Sequence, residues 1–134
     1  MASLIIRPQK TPLIGAATVP GDKSISHRAV MLGALAQGIS TIRNWLPAGD
    51  SIATLDAIRA LGVEIGVEER SELAWDLSIH GRGLTGLRPP AGRLNCRNAG
   101  TCMRLLSGIM AGQNFPTVLD GSEQLRKRPM GRII

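Results

Sequence analysis

The sequence predicts an α/β protein, of mixed α+β character, in which strands and helices alternate along the chain. Apolar residues recur with helical spacing over residues 24–37 and 52–61. They alternate with polar residues, as in half-buried strands, over residues 63–67 and 75–79. Glycines and prolines separate these segments, as expected for short connections. The order of the segments predicts repeated βαβαββ units, with the second unit incomplete.

The first unit begins with short apolar segments. Residues 4–6 and 13–19 predict strands. Residues 24–37 predict a helix that is apolar nearly all round and therefore buried, with Gly38 as its expected C-cap. A strand over residues 39–46 follows.

A second helix and a strand pair complete this unit. Asp50 or Ser51 is the expected N-cap of the helix, and Gly62 marks its end. The alternating segments at residues 63–67 and 75–79 then predict two half-exposed strands that pair through the polar turn between them.

The second unit starts after a connection rich in Gly, Pro and Arg. Residues 94–96 predict a strand, residues 101–111 a helix and residues 116–120 another strand. Pro129 and the apolar residues after it are typical of the first turn of a further helix. Because this apolar helix start has no cap, we expect the chain to be a piece of a longer polypeptide.

Composition narrows the class of ligand. The net charge is +6, and 13 of the 16 cationic residues are arginine, whose planar fork suits phosphate and carboxylate groups. An aromatic content of 2% leaves few side chains on which bases could stack, so nucleic acid is not an expected partner. The sequence lacks an apolar run of membrane-spanning length and a signal-peptide core, so no membrane association is expected and a cytoplasmic location is predicted.

Two cysteines bear on metals and redox state. Cys96 and Cys102 have no His or Cys partners at zinc-binding spacing, so we expect two buried, reduced thiols. No metal and no organic cofactor is expected.

A helix-start pattern occurs twice, in residues 21–28 and 97–104. Each copy places a glycine and a hydroxyl residue at a predicted helix N-terminus, where free N–H groups and the helix dipole favour anions. An arginine follows about one turn later on the same face. The pairs are Ser24 with Arg28, and Thr101 with Arg104.

Either copy alone is commonly ordinary helix capping. However, Lys23 and Arg28 crowd a helix start, where the dipole disfavours positive charge. Both copies place positive charge near a helix start against this preference, which favours a bound anion as the missing partner. The pattern therefore predicts a small substrate with more than one anionic group.

Three segments in order, residues 23–28, 98–104 and 126–129, resemble signatures of the 5-enolpyruvylshikimate-3-phosphate synthase family. The resemblance covers essentially the whole chain and corresponds to the N-terminal part of that family. It implies transfer of the enolpyruvyl group of phosphoenolpyruvate to the 5-hydroxyl of shikimate 3-phosphate, a step of aromatic amino-acid biosynthesis. It also implies that glyphosate competes for the phosphoenolpyruvate site.

The resemblance also implies a domain organisation. The family has two globular halves, each built from three βαβαββ units, with the active site in the cleft between them. Residues 1–20 would then belong to the C-terminal half. Residues 21–134 would form the first part of the N-terminal half, about one and a half units. The missing C-terminal portion, in the same or a separate chain, is an implied partner.

For shikimate 3-phosphate, the resemblance implies binding by Lys23, Ser24 and Arg28. Lys23 would touch both substrates. Lys23 and Asp50 are the candidate catalytic residues. The loop before Asp50 departs from the more acidic family pattern, so a plain helix N-cap is an equal alternative for this residue.

For phosphoenolpyruvate, the resemblance implies Asn98, Gly100, Thr101 and Arg128 in addition to Lys23. Gly100 would let the ligand approach the helix start, Arg128 would bind its anionic oxygens, and Arg104 would support this wall.

Alternatives remain open. A related enolpyruvyl transferase acts on UDP-N-acetylglucosamine and carries a reactive cysteine in a mobile loop, whereas Cys102 lies within a predicted helix. A non-catalytic anion-binding fragment that docks to a partner chain is the other alternative. His27 is expected to be structural, and His80 to be solvated at the end of an edge-like strand. The resemblance places most acid–base groups in the other half, so the chain alone is predicted to be inactive.

Overall fold

The structure is a computed structural model that describes residues 4–131 and 133. None of its helices combines the length and the apolar character needed to cross a bilayer, within those residues. The elements are, in order, α1 (Lys23–Leu35), β1 (Gln37–Trp45), α2 (Gly49–Ala60), β2 (Glu64–Ser71), β3 (Ala74–Arg82), β4 (Leu94–Asn95), α3 (Gly100–Ala111), β5 (Leu119–Asp120) and α4 (Glu123–Arg126). The predicted mixture of helices and strands is confirmed, and so is their predicted order from α1 to β5.

The first unit folds around a three-stranded antiparallel sheet in the order β1-β3-β2. The predicted pairing of the two alternating segments is confirmed, with Ile65 opposite Ile79. β3 also pairs with β1, so it is the central strand. The expectation of an edge-like strand at His80 was therefore wrong, although its side chain is exposed as expected.

The second unit contains a parallel pair. β4 and β5 lie side by side with Leu94 opposite Leu119, and α3 connects them. This βαβ arrangement is the one that parallel strands require. The predicted strand at residues 116–120 is shorter than expected, covering only its last two residues.

α1, α2 and the sheet enclose the main core. Leu55, Ile58 and Leu61 form the predicted buried stripe of α2, which is followed by Gly62 at φ +84°. This left-handed conformation suits glycine directly after a helix. In the sheet, the buried Trp45 of β1 stacks on Trp75 of β3, with ring centroids 5.7 Å apart.

The end and the burial of α1 differ from the prediction. α1 ends at Leu35, and Gly38 lies in β1 rather than at the C-cap, because the chain turns directly from Ala36 into strand pairing. The helix is also not buried all round. Ile25 and Leu32 are 68% and 67% exposed, since they lie on a face that no described element covers.

The predicted strands at residues 4–6 and 13–19 do not form. Their apolar side chains are exposed, and Ile14 is 97% exposed. A strand needs a partner for its N–H and C=O groups, and no described strand pairs with these segments.

The prediction of a helix that begins at Pro129 is also wrong for the described residues. Met130 and Gly131 are not helical, and residues 132 and 134 of that prediction lie outside the described residues. The short α4 forms earlier in the chain, because the Ser122 hydroxyl accepts from the Leu125 amide and Leu125 is fully buried.

Candidate anion-binding site

The start of α1 carries the first set of predicted site residues. Its N-cap is Asp22, whose carboxylate accepts from the Ile25 amide at 2.7 Å. The Ser24 hydroxyl is therefore free of capping. Arg28 Nη1 donates to that hydroxyl and to the Ser24 carbonyl, the latter at 3.1 Å. Ser24 and Arg28 thus share one exposed face, as their spacing predicted.

Asp50 lies in the first turn of α2 and is not its N-cap, so that alternative was wrong. The N-cap position is Ala48, where the amide donates to the Ser51 hydroxyl at 3.0 Å. Asp50 instead accepts from Lys23 Nζ at 3.1 Å. Both side chains are partly exposed, and such pairs contribute only about 0–1 kcal/mol. A ligand anion can therefore replace Asp50 as the partner of Lys23 at little cost.

The start of α3 carries the second set. Its N-cap position, Ala99, supplies no side-chain cap, so the first N–H groups of the helix have no side-chain acceptor there. Arg128 and Arg104 cover Gly100. A Cβ at this position would lie 3.0 Å from Arg128 Nη1 and 3.4 Å from Arg104 Nη1. Glycine at this position therefore allows two guanidinium groups to close over the helix start.

Hydrogen bonds hold these arginines in place. Arg128 Nη2 donates to Asn98 Oδ1 at 3.1 Å, and the Ser122 hydroxyl donates to the same oxygen at 3.1 Å. Arg104 Nη2 donates to the Pro129 carbonyl at 3.1 Å. Sequence reasoning missed Ser122, and the available signal was its position as an N-cap directly before Glu123.

The arginines of the site differ from several other surface arginines in having no carboxylate partner within the part of the chain that the structure describes. Arg97 pairs with Asp56 at 2.8 Å, and Arg126 pairs with Asp120 at 2.8 Å. Hydrogen bonding from Arg126 holds the pKa of Asp120 well below its usual range. Among the described residues, no carboxylate lies within ion-pair distance of the site arginines, namely Arg28, Arg104 and Arg128.

A buried polar cluster joins the N-terminal halves of the three helices. His27 of α1, Thr54 of α2 and Cys102 of α3 are all fully buried. His27 Nδ1 lies 2.6 Å from Thr54 Oγ1, and the Cys102 thiol lies beside Thr54 and Cys96. Both thiols are free and buried, as predicted. The starts of α1, α2 and α3 therefore converge, which brings the Lys23 and Gly100 sites to the same end of the fold.

Comparisons with known proteins agree with this geometry. A family model described as EPSP synthase (3-phosphoshikimate 1-carboxyvinyltransferase) matches residues 8–134. A 3-phosphoshikimate 1-carboxyvinyltransferase of Pelobacter propionicus is 53% identical over 134 residues. One of Acidithiobacillus ferrooxidans is 49% identical over the same length. Each match covers 100% of this chain and 30% of the relative, so the chain spans about a third of the relatives it matches.

A solved structure extends the agreement to three dimensions. EPSP synthase from Acinetobacter baumannii matches with a TM-score of 0.79 and 47% identity, over 88% of this chain and 26% of that one. The fold, the order of the motifs and the sequence identity point to one assignment. The chain belongs to the EPSP synthase (3-phosphoshikimate 1-carboxyvinyltransferase) family.

Proposed function

We propose that this chain is the N-terminal part of an enzyme that transfers the enolpyruvyl group of phosphoenolpyruvate to the 5-hydroxyl of shikimate 3-phosphate. Phosphate is the second product. Family membership and the share of each relative that the chain covers support this proposal. The remainder of such a polypeptide, in the same or a separate chain, is the required partner, and a cytoplasmic location stays a prediction.

One observation carries the proposal. Arg104 and Arg128 meet over Gly100 at an uncapped helix start, and no described carboxylate neutralises either of them. Two adjacent guanidinium groups repel each other, so this arrangement is destabilising for the protein alone. A ligand with carboxylate and phosphate groups converts that repulsion into charge-assisted hydrogen bonds.

Each site residue then has a role. Lys23, Ser24 and Arg28 bind shikimate 3-phosphate on the exposed face of α1. Asn98, Gly100, Thr101 and Arg128 bind phosphoenolpyruvate at the start of α3, and Arg104 supports them. Lys23 contacts both substrates, and Asp50 lies beside it at the reacting centre.

The reaction joins the 5-hydroxyl oxygen to phosphoenolpyruvate in a new C–O bond, as the hydroxyl loses its proton and the methylene gains one. Loss of phosphate together with a proton from the resulting methyl group then restores the double bond. Before any bond forms, two multiply charged anions must be held together against their repulsion, and this chain contributes that step. The three helix dipoles and the site cations supply orientation and electrostatic stabilisation. In this proposal, Asp50 accepts a proton while Lys23 holds substrate charge. The remaining acid–base groups belong to the missing portion, so the chain alone gives no turnover.

The exposed N-terminal segment supports the proposed domain division. Residues 4–20 lie outside regular structure and carry exposed apolar side chains at alternating and adjacent positions. In the proposed division, residues 1–20 form strands with the C-terminal half, and residues 21–134 build the N-terminal half. Those strands form when the other half supplies their partners.

The alternative activity on UDP-N-acetylglucosamine has less support. That reading needs a reactive cysteine in a mobile loop, whereas Cys102 is fully buried in α3. The other alternative, a non-catalytic anion-binding fragment, is distinguished from the enzyme by the turnover measurement described next.

The test replaces the matched first part of the Pelobacter propionicus relative with this chain and measures phosphate release with both substrates. We expect turnover, and we expect Arg128→Ala to abolish most of it. Lys127→Ala is the matched control, because Lys127 is paired with Glu123 on the surface and its loss is expected to leave turnover unchanged. A folded chimera without turnover, or equal losses in the two variants, would contradict the proposal.

A further inference from the structure

The buried contact between His27 and Thr54 is unusual for the core in which it lies. Both side chains are fully buried, and their neighbours in α1 and α2 include Val30 and Ala57, which are also buried. The two polar atoms, His27 Nδ1 and Thr54 Oγ1, are 2.6 Å apart. A buried polar group without its partner is costly, so this bond strongly restricts the relative position of the two helices.

The bond fastens the same turn that carries the α1 anion-binding residues. Ser26, next to His27, is held from the other side, because its hydroxyl accepts from the Leu46 amide at 3.0 Å and its carbonyl accepts from Trp45 Nε1 at 2.9 Å. The inner face of the turn is therefore tied both to the end of β1 and to α2. The outer face carries Lys23 and Arg28.

The surroundings keep His27 neutral. Burial lowers the pKa of His27, and the charged groups that face it are Asp50 from α2 and Lys23 and Arg28 from its own helix. Its other ring nitrogen, Nε2, is buried without a hydrogen-bond partner among the described residues. The Thr54 hydroxyl is therefore the contact that orients the ring.

We propose that Thr54 and His27 are positioning residues for the proposed shikimate 3-phosphate site. Their hydrogen bond sets the rotation and the axial position of the first two turns of α1. Lys23, Ser24 and Arg28 thereby face the ligand in a single arrangement. This inference rests on the proposed function for its ligand, but the positioning itself is a property of the chain.

The test compares Thr54→Val, which keeps the shape and removes the hydroxyl, with Thr54→Ser, which keeps the hydroxyl. Three quantities are measured in this chain: amide hydrogen exchange over residues 25–30, the ¹⁵N shifts of the His27 ring, and calorimetric binding of shikimate 3-phosphate. Ser107→Ala is the matched control, since it removes a half-buried hydroxyl bonded to the Met103 carbonyl at 2.6 Å, away from α1.

For Thr54→Val we expect faster exchange in α1, a mixture of His27 tautomers and affinity about tenfold lower, the usual size of one hydrogen-bond loss. Thr54→Ser rescues all three quantities, and Ser107→Ala leaves them unchanged. If Thr54→Val does not fold, His27→Gln replaces it. An affinity of either variant for shikimate 3-phosphate equal to that of Thr54→Ser contradicts the proposal.

The two proposals fail in different ways. Wild-type chain that binds no shikimate 3-phosphate contradicts the assigned function of the α1 face, whatever the exchange data show. Unchanged exchange and a single unchanged tautomer in Thr54→Val overturn the positioning role, whatever the ligand.

Discussion

The starts of α1 and α3 share a sequence pattern but differ in how their charges are balanced. At α1, the Asp22 carboxylate caps the helix and Asp50 pairs with Lys23. At α3, the N-cap position supplies no side-chain acceptor, and Arg104 and Arg128 lie over Gly100 without a described carboxylate partner. The first start is largely neutralised by the protein, whereas the second is not.

This difference indicates two modes of anion binding. Under the proposed function, a ligand at α1 would exchange one partner for another, because Lys23 would leave Asp50 and Arg28 would leave Ser24. A ligand at α3 forms contacts that relieve existing repulsion between guanidinium groups. A variant of Gly100 therefore tests the α3 start, and a variant of Asp50 tests the α1 start.

The largest expected effect is at Gly100. In the chimera, Gly100→Ala places a Cβ 3.0 Å from Arg128 Nη1, which displaces the guanidinium from the ligand. We expect inhibition by glyphosate and the apparent affinity for phosphoenolpyruvate to weaken about 100-fold, since small misplacements at a reacting centre have effects of that size. Affinity for shikimate 3-phosphate stays unchanged. Gly108→Ala, in the same helix with open space around it, is the control. Equal losses of affinity for phosphoenolpyruvate and shikimate 3-phosphate would show that Gly100 is assigned to the wrong subsite.

Arg28→Ala tests the α1 face. Loss of a charge-assisted contact is expected to weaken binding of shikimate 3-phosphate about 10- to 100-fold in calorimetry. The wild-type affinity falls as salt rises, because exposed charges are screened. Arg70→Ala is a suitable control, since Arg70 is exposed on β2 and paired with Asp76. Unchanged affinity in Arg28→Ala would remove this residue from the site.

Asp50→Asn sharpens the contrast, because it frees Lys23 from its internal partner. We expect shikimate 3-phosphate to bind this chain several-fold more tightly, about the strength of one exposed ion pair. In the chimera the same substitution lowers turnover, since Asp50 is assigned to the reaction. Binding that weakens together with turnover would show that Asp50 holds ligand rather than competing with it.

The smallest effect concerns pH. Burial lowers the pKa of His27 from 6.5, so the unfolded chain binds a proton that the folded chain resists. The free energy of unfolding therefore carries no penalty from His27 above about pH 6.5. It declines as the pH falls below that value, by at most about 1.4 kcal/mol per pH unit. His27→Asn removes this decline. The later loss below about pH 4, from the lowered pKa of Asp120, stays in both proteins. Identical denaturation profiles between pH 6.5 and pH 4.5 would contradict the assignment.

Local signals in the sequence explain why most of the fold was predictable. The alternation at Val63, Ile65 and Val67 specified a strand face, and Gly62 marked the end of α2. The paired helix-start pattern predicted Lys23 and Gly100 as parts of a site, and the structure has both at helix starts. These signals lie within a few residues of the structures that they specify.

The features that were missed depend on contacts between distant segments. The cap of α1 is an exception, since its contact is local: Asp22 and Ser24 are both good N-cap residues, so residue type alone does not choose between them. The contact of Ser122 with Asn98 joins residues far apart in sequence. The segment at residues 13–19 has strand character, but strand formation needs a partner strand that no described residue supplies.

The most direct test of two distinct anion sites is an NMR titration of this chain, first with shikimate 3-phosphate and then with phosphoenolpyruvate. The first ligand is expected to shift the amides of residues 23–28, and the second those of residues 98–101 and the Arg128 side chain. Gly100→Ala should remove the second set of shifts and leave the first. Shifts from both ligands at one helix start, or at neither of them, would contradict the account.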